Sequence, residues 1–137
     1  MPPEAPVVFG DTALESVIRE ILQQPDGDLM PADLLGVTDV DAPLRGIQSL
    51  DGLQYCVSLH RLNVQGNAVT DLGPLAGLAQ LSNLDASGNQ ISDVGPLADL
   101  VGLMNLDLSD NAILEIEGLQ QLEILNFLWL DRNQISD

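Results

Sequence analysis

Leu81-Ser82-Asn83-Leu84-Asp85-Ala86-Ser87-Gly88-Asn89-Gln90-Ile91 decides how the rest of the chain is read. Its frame, Leu-x-x-Leu-x-apolar-x-x-Asn-x-apolar, returns every 22 residues and places an asparagine at Asn67, Asn89, Asn111 and Asn133. Inside the frame Leu84 and Ala86 alternate with Asn83 and Asp85, a period of two that sends one set inward and the other outward on a short strand. A fixed period of this length marks stacked units that bury their apolar faces against one another, each unit one turn of a solenoid. Strands of successive turns then lie side by side in parallel, about 4.8 Å apart.

Leucines and an asparagine at these offsets are the leucine-rich repeat pattern. The fold class expected is α/β: a leucine-rich repeat solenoid with a parallel β-sheet on the concave face. Where the chain turns inward after each strand, backbone N–H and C=O groups need partners, and a buried Asn amide supplies both a donor and an acceptor. Asn67, Asn89, Asn111 and Asn133 are therefore read as a structural ladder. The return half of each repeat carries Gly73-Pro74-Leu75 and Gly95-Pro96-Leu97. Proline fixes its own φ and pushes the preceding residue out of α geometry, so short turns or 3-10 helices are expected on the convex face. Gly52 and Gly118 hold the same slot as the prolines, so proline is preferred there without being required.

The apolar columns run further back than the asparagines. Val37, Val40 and Ala42 stand 22 residues before Leu59, Leu62 and Val64, while Ile47, Leu50 and Leu53 stand 22 before Val69, Leu72 and Leu75. Residues 37–58 thus form a degenerate first repeat with Arg45 at the ladder position, followed by repeats 59–80, 81–102 and 103–124 and a truncated one over 125–137. End repeats are commonly atypical. Ahead of them, residues 7–36 read as a helical N-terminal cap over the apolar end of the solenoid. Thr12 and Glu15 have capping-box spacing, and Leu14, Val17, Ile18, Ile21 and Leu22 make one helical stripe. Pro25-Asp26-Gly27-Asp28 is a turn, since an EF-hand loop needs further acidic positions, and a second short helix follows from Pro31 through Leu35, closed by Gly36. Residues 1–6, rich in proline, are expected to be flexible.

With 21 acidic residues against four arginines and no lysine, the formal charge is −17. That field repels nucleic-acid phosphates and anionic membranes and favours a basic protein partner; its plainer role is solubility. No stretch is long and apolar enough to insert in a membrane. Cys56, the single cysteine, excludes an internal disulfide and a cysteine metal cluster, and its column with Leu78, Leu100 and Leu122 makes it a small core residue. Asp71, Asp93, Glu115 and Asp137 share another column. One carboxylate per repeat offers too few oxygens for calcium, so a local role in the loop is favoured over a cation site. No metal and no cofactor is expected.

Candidate binding residues occupy the outward strand positions. One column is Arg61, Asn83, Asn105, Phe127; the next is Asn63, Asp85, Asp107, Trp129; the third is Gln65, Ser87, Ser109, Asp131. Phe127 and Trp129 alternate with Leu128 and Leu130, so both rings point out if the leucines point in. Exposed aromatics beside a polar strip have the composition of a binding hot spot, though they would equally suit packing against a following repeat. Asp85 and Asp107 on adjacent strands could share a cation or serve hydrolysis as a carboxylate pair. A shallow open sheet excludes little water, and His60 has no nucleophile frame, so no catalytic residues are assigned.

The segments Gly66-Asn67-Ala68-Val69-Thr70-Asp71-Leu72-Gly73-Pro74-Leu75 and Gly88-Asn89-Gln90-Ile91-Ser92-Asp93-Val94-Gly95-Pro96-Leu97, with the small helical cap, resemble the internalin-like leucine-rich repeats of bacterial surface and secreted proteins. The resemblance spans residues 7–137 and implies protein binding by a concave parallel sheet and an extracellular or cell-surface address. A structural or cation-dependent assembly segment of a longer protein is the alternative.

Leu125, Leu128, Leu130 and Ile135 fall in a last turn without a covering repeat in this sequence. Exposing such side chains forgoes roughly 1.5–3 kcal/mol each. Self-association as a homodimer through this turn is therefore expected, and a light-scattering mass that stays at one chain over a wide concentration range would count against it.

Overall fold

In the computed structural model, which describes residues 4–136, each frame closes into one turn, and the inward alternation becomes a three-residue strand. The strands are β1 (Asp39–Asp41), β2 (Arg61–Asn63), β3 (Asn83–Asp85), β4 (Asn105–Asp107) and β5 (Phe127–Trp129), all parallel and in sequential order. Their register equals the repeat: Val40 pairs Leu62, Leu62 pairs Leu84, Leu84 pairs Leu106 and Leu106 pairs Leu128. The opposite face carries 3-10 turns at Leu53–Tyr55, Gly73–Leu75, Gly95–Leu97 and Glu117–Leu119. Asp71 and Asp93 each accept the N–H two residues on, from Gly73 at 2.7 Å and Gly95 at 2.8 Å, so these carboxylates tie the turn locally. Asp137 of that column lies outside the described residues.

One core runs the length of the solenoid, and Val37, Val40, Ala42, Ile47, Leu50 and Leu53 of the first turn are buried in it like their successors. Cys56 is fully buried, and loss of hydration pushes its thiol up to about 11. The core thins at the last turn, where Leu128 occupies an inward column yet is 40% exposed.

The ladder is built from the amide side chains. Asn89 Oδ1 accepts from the Val69 N–H at 2.9 Å, while Nδ2 donates to the carbonyls of Val64 and Ala86 at 3.0 Å and Ser87 at 3.1 Å. Asn67, Asn111 and Asn133 repeat the arrangement one turn up or down, through Ile47, Ile91 and Ile113 N–H and the carbonyls of Ala42, Ala86 and Leu108. Each asparagine therefore holds its own turn closed and fastens it to the turn before. The residue preceding each ladder position is left-handed throughout, with φ of 69° at Gly66, 67° at Gly88, 56° at Asp110 and 56° at Arg132. Arg45 leaves the ladder: its backbone N–H reaches Asn67 Oδ1, but its guanidinium turns outward to Glu20 at 3.2 Å.

The helix α1 (Thr12–Leu22) covers the first turn with Leu14, Val17 and Ile18 buried; Ile21, expected in the same stripe, is exposed at the margin. Its N-cap is Asp11 and not Thr12. Asp11 Oδ1 accepts from the N–H groups of Ala13 and Leu14, and Oδ2 accepts from Gln48 and Ser49 in the first repeat at 2.6 and 3.2 Å. Threonine spacing pointed one residue too late because a carboxylate, with two oxygens, can cap the helix and bind the repeat together. Beside it Phe9 packs over Gly52, whose φ of 112° and lack of Cβ are both required, since a Cβ there would stand 2.3 Å from the ring. Glycine in that slot thus replaces proline for a specific steric reason. The second short helix is a 3-10 helix, Pro31–Gly36. Of the segment 1–6 only Glu4, Ala5 and Pro6 are described, all exposed, and the remainder lies outside the described residues.

Two outcomes follow. Asn89→Ala strands several buried backbone groups and should lower the urea-derived stability by about 3 kcal/mol or more, since each unsatisfied group costs about 1–3. Burial alone would raise the Asp11 carboxyl, but the N–H donors of Gln48, Leu14, Ala13 and Ser49 outweigh it and hold it below its ordinary value. Its contribution is then complete above the unfolded carboxylate value of about 3.9 and is lost as pH falls through the lower folded one. Asp11→Ala should cost about 1–2 kcal/mol at pH 7, a gap that narrows below about pH 4 in urea titrations repeated across pH.

Candidate functional site

The outward positions of β1–β5 converge on a trough of about 690 Å³ across the concave sheet. Arg61, Asn63, Asn83, Asp85, Asn105, Asp107 and Trp129, all expected on this face, line it. Asp39 and Asp41 line it too, although sequence reading assigned them no role; the signal was present, because they stand 22 residues before Arg61 and Asn63 in the same columns. Phe127 stands beside Trp129 on β5 without lining the trough.

Side chains on this face are held by their neighbours. Asn63 donates to Asp41 Oδ1 at 3.0 Å, and Asn105 donates to Asn83 Oδ1 across β3 and β4. Asp85 Oδ1 accepts the N–H and hydroxyl of Ser87 at 3.1 and 2.7 Å; Asp107 Oδ1 accepts those of Ser109 at 3.0 and 2.6 Å. The third outward column is corrected by these bonds. Ser87 and Ser109 are buried, folded back onto the preceding carboxylates, so they brace the face and are not displayed on it. Asp131, expected among the binding residues, is exposed but lies off the trough, paired with Arg132 at 3.0 Å.

Phe127 is 55% and Trp129 46% exposed, and their rings stack with centroids 5.6 Å apart and planes 10° from parallel. They lie two residues apart on one strand and so share a face. Electrostatically the trough is acidic with one cation. Among the described residues Arg19 pairs with Glu15, Arg45 with Glu20, and Arg132 with Asp110 and Asp131, while Arg61 has no ion pair. Hydrogen bonding to Arg132 holds the Asp110 carboxyl below its ordinary value. His60 is exposed, with Nδ1 2.7 Å from the Ser58 carbonyl. Among the described residues no group of three or more His, Cys, Asp or Glu is placed to hold a metal ion, and no helix is long and apolar enough to cross a membrane.

Known proteins carry the same architecture. A family described as Leucine Rich repeats (2 copies) matches residues 57–99. An internalin, inlF, of Listeria monocytogenes superposes with a TM-score of 0.83 at 25% identity, covering 98% of this chain and 48% of its own. Internalin C2 of the same organism gives 0.70 at 29% identity over 100% of this chain and 72% of its own. The chain thus spans about half the length of the first and nearly three quarters of the second. The functional domain of Listeria monocytogenes InlJ, which includes a cysteine ladder, shares the fold at a TM-score of 0.87 and 21% identity, covering 93% of this chain and 28% of its own. The ladder here is made of asparagine.

The bonding pattern generates a further expectation. Asparagine keeps the Oδ1 acceptor that Ser109 uses, so Asp107→Asn should change stability by less than about 0.5 kcal/mol, whereas Ser109→Ala, which removes a buried hydroxyl from its partner, should cost about 1 kcal/mol. Chemical denaturation of the two variants measures both.

Proposed function

Because the chain is an internalin-like leucine-rich repeat protein, we propose that it is a non-enzymatic protein-recognition module that binds through its concave face. We place it in a bacterial surface or secreted protein, by analogy with the internalins it is similar to. The observation that carries the reading is the exposed, stacked Phe127–Trp129 pair at the end of a trough of braced polar side chains. Aromatics supply large contact area at small entropic cost, and polar groups already fixed by Ser87, Ser109 and Asn83 lose little further freedom on binding. The carboxylates of Asp85 and Asp107 serve contact and not hydrolysis, because an open trough leaves the solvent water that a catalytic pair must control.

Selection of binders from a displayed peptide library on the immobilised chain tests this. Trp129→Ala should weaken the selected binders by about tenfold or more, the scale of a hot-spot residue, while Glu117→Ala on the convex side leaves them unchanged. Binders that tolerate Trp129→Ala and are lost on convex substitutions would overturn the proposal.

A further inference from the structure

We infer that the concave face takes an extended, arginine-bearing segment of a partner protein, with its guanidinium seated between the Asp107 carboxylate and the Trp129 ring; this rests on the recognition reading above. Asp107 and Trp129 are register partners on β4 and β5, so their side chains rise next to each other from the sheet. Both line the trough. Ser109 occupies Asp107 Oδ1 from its N–H and hydroxyl, which fixes the carboxylate and leaves Oδ2 without a partner among the described residues. Phe127 stacks on Trp129 and fixes the indole in turn. A fixed acceptor beside a fixed aromatic surface is complementary to a planar cation that donates hydrogen bonds at its edge and stacks on its face. Arginine meets both demands; lysine, a compact ammonium, meets the electrostatic one alone.

Charge also directs the ligand along the trough. Asp41, Asp85 and Asp107 stand in one column and draw a cation onto the face. Arg61 on β2 is unpaired among the described residues and stands beside Asp39, while Asp107 already lies within Coulombic reach of Arg132, so the Trp129 ring next to Asp107, and not charge alone, marks the β4–β5 end as the seat. From β1 to β5 the face spans four strand spacings, about 19 Å, which about six residues of extended chain would cross. A protein of formal charge −17 adds long-range attraction for such a segment at low salt.

Trp129 is the sole tryptophan, so its fluorescence reports the site directly. The probe is the peptide acetyl-Ser-Gly-Arg-Gly-Ser-Gly-amide, compared with the same peptide carrying neutral citrulline. The arginine peptide should give a saturable response that weakens about tenfold with citrulline and about tenfold in Asp107→Asn, the scale of one charge-assisted hydrogen bond. Asp26→Asn, an equal charge change on the exposed turn of the cap, should leave it unchanged. Absence of a saturable response, equal responses to both peptides, or equal loss in Asp26→Asn and Asp107→Asn would overturn the inference. So would a Trp129 response to a neutral oligosaccharide such as cellotriose with none to the peptide. Library binders that depend on Trp129 but carry no basic residue and ignore Asp107→Asn would sink this inference while leaving concave-face recognition standing.

Discussion

Everything in this molecule depends on how the interior backbone of each turn finds hydrogen-bond partners. A strand of three residues followed by an inward bend leaves N–H and C=O groups facing an apolar core, where an unpaired group is costly. One amide per turn answers the need. Asn67 and Asn89 accept from the preceding turn and donate to carbonyls of both turns, so the bond that closes a turn also fixes its stacking. The result is a ladder in which no buried side-chain polar atom is left unsatisfied among the described residues.

Such a ladder needs a beginning, and the first turn begins it by a different chemistry. Arg45 gives only its backbone N–H to the amide of Asn67, and its side chain joins the cap through Glu20. Asp11 then spans the boundary with two oxygens, one for the helix N-terminus and one for the repeat backbone, while Phe9 closes over Gly52. The exposed Arg45–Glu20 pair contributes little by itself. The carboxylate at the boundary matters more, because its partners are backbone donors that would otherwise lack an acceptor.

The same stacking that satisfies the core organises the concave face. Residues 22 apart in sequence become neighbours about 4.8 Å apart, so single outward positions grow into columns of carboxylates and amides. These columns brace themselves. Asp85 and Asp107 are held by the serines two residues on, and the stacked pair of Phe127 and Trp129 orients itself. Side chains fixed in this way would lose little further freedom on contact.

Period and offsets alone determined the fold class, the parallel register, the role of the four asparagines and the placing of Phe127 and Trp129 on one strand face. These are consequences of local periodicity, since a 22-residue repeat with alternating apolar positions has one economical way to stack. Tertiary structure decided what depends on geometry between turns. Ser87 and Ser109 looked displayed by alternation, yet they fold back into buried bonds with Asp85 and Asp107. Asp39 and Asp41, by contrast, were legible in the 22-residue columns of the degenerate first turn, and the pairing of β1 with β2 carries them into the trough. Asp11, not Thr12, became the cap because its second oxygen reaches Gln48, a partner 37 residues away that no local pattern announces. Whether a polar side chain faces water, braces a neighbour or bridges two elements is settled by which unpaired donor stands within about 3 Å, and that is a property of the folded chain.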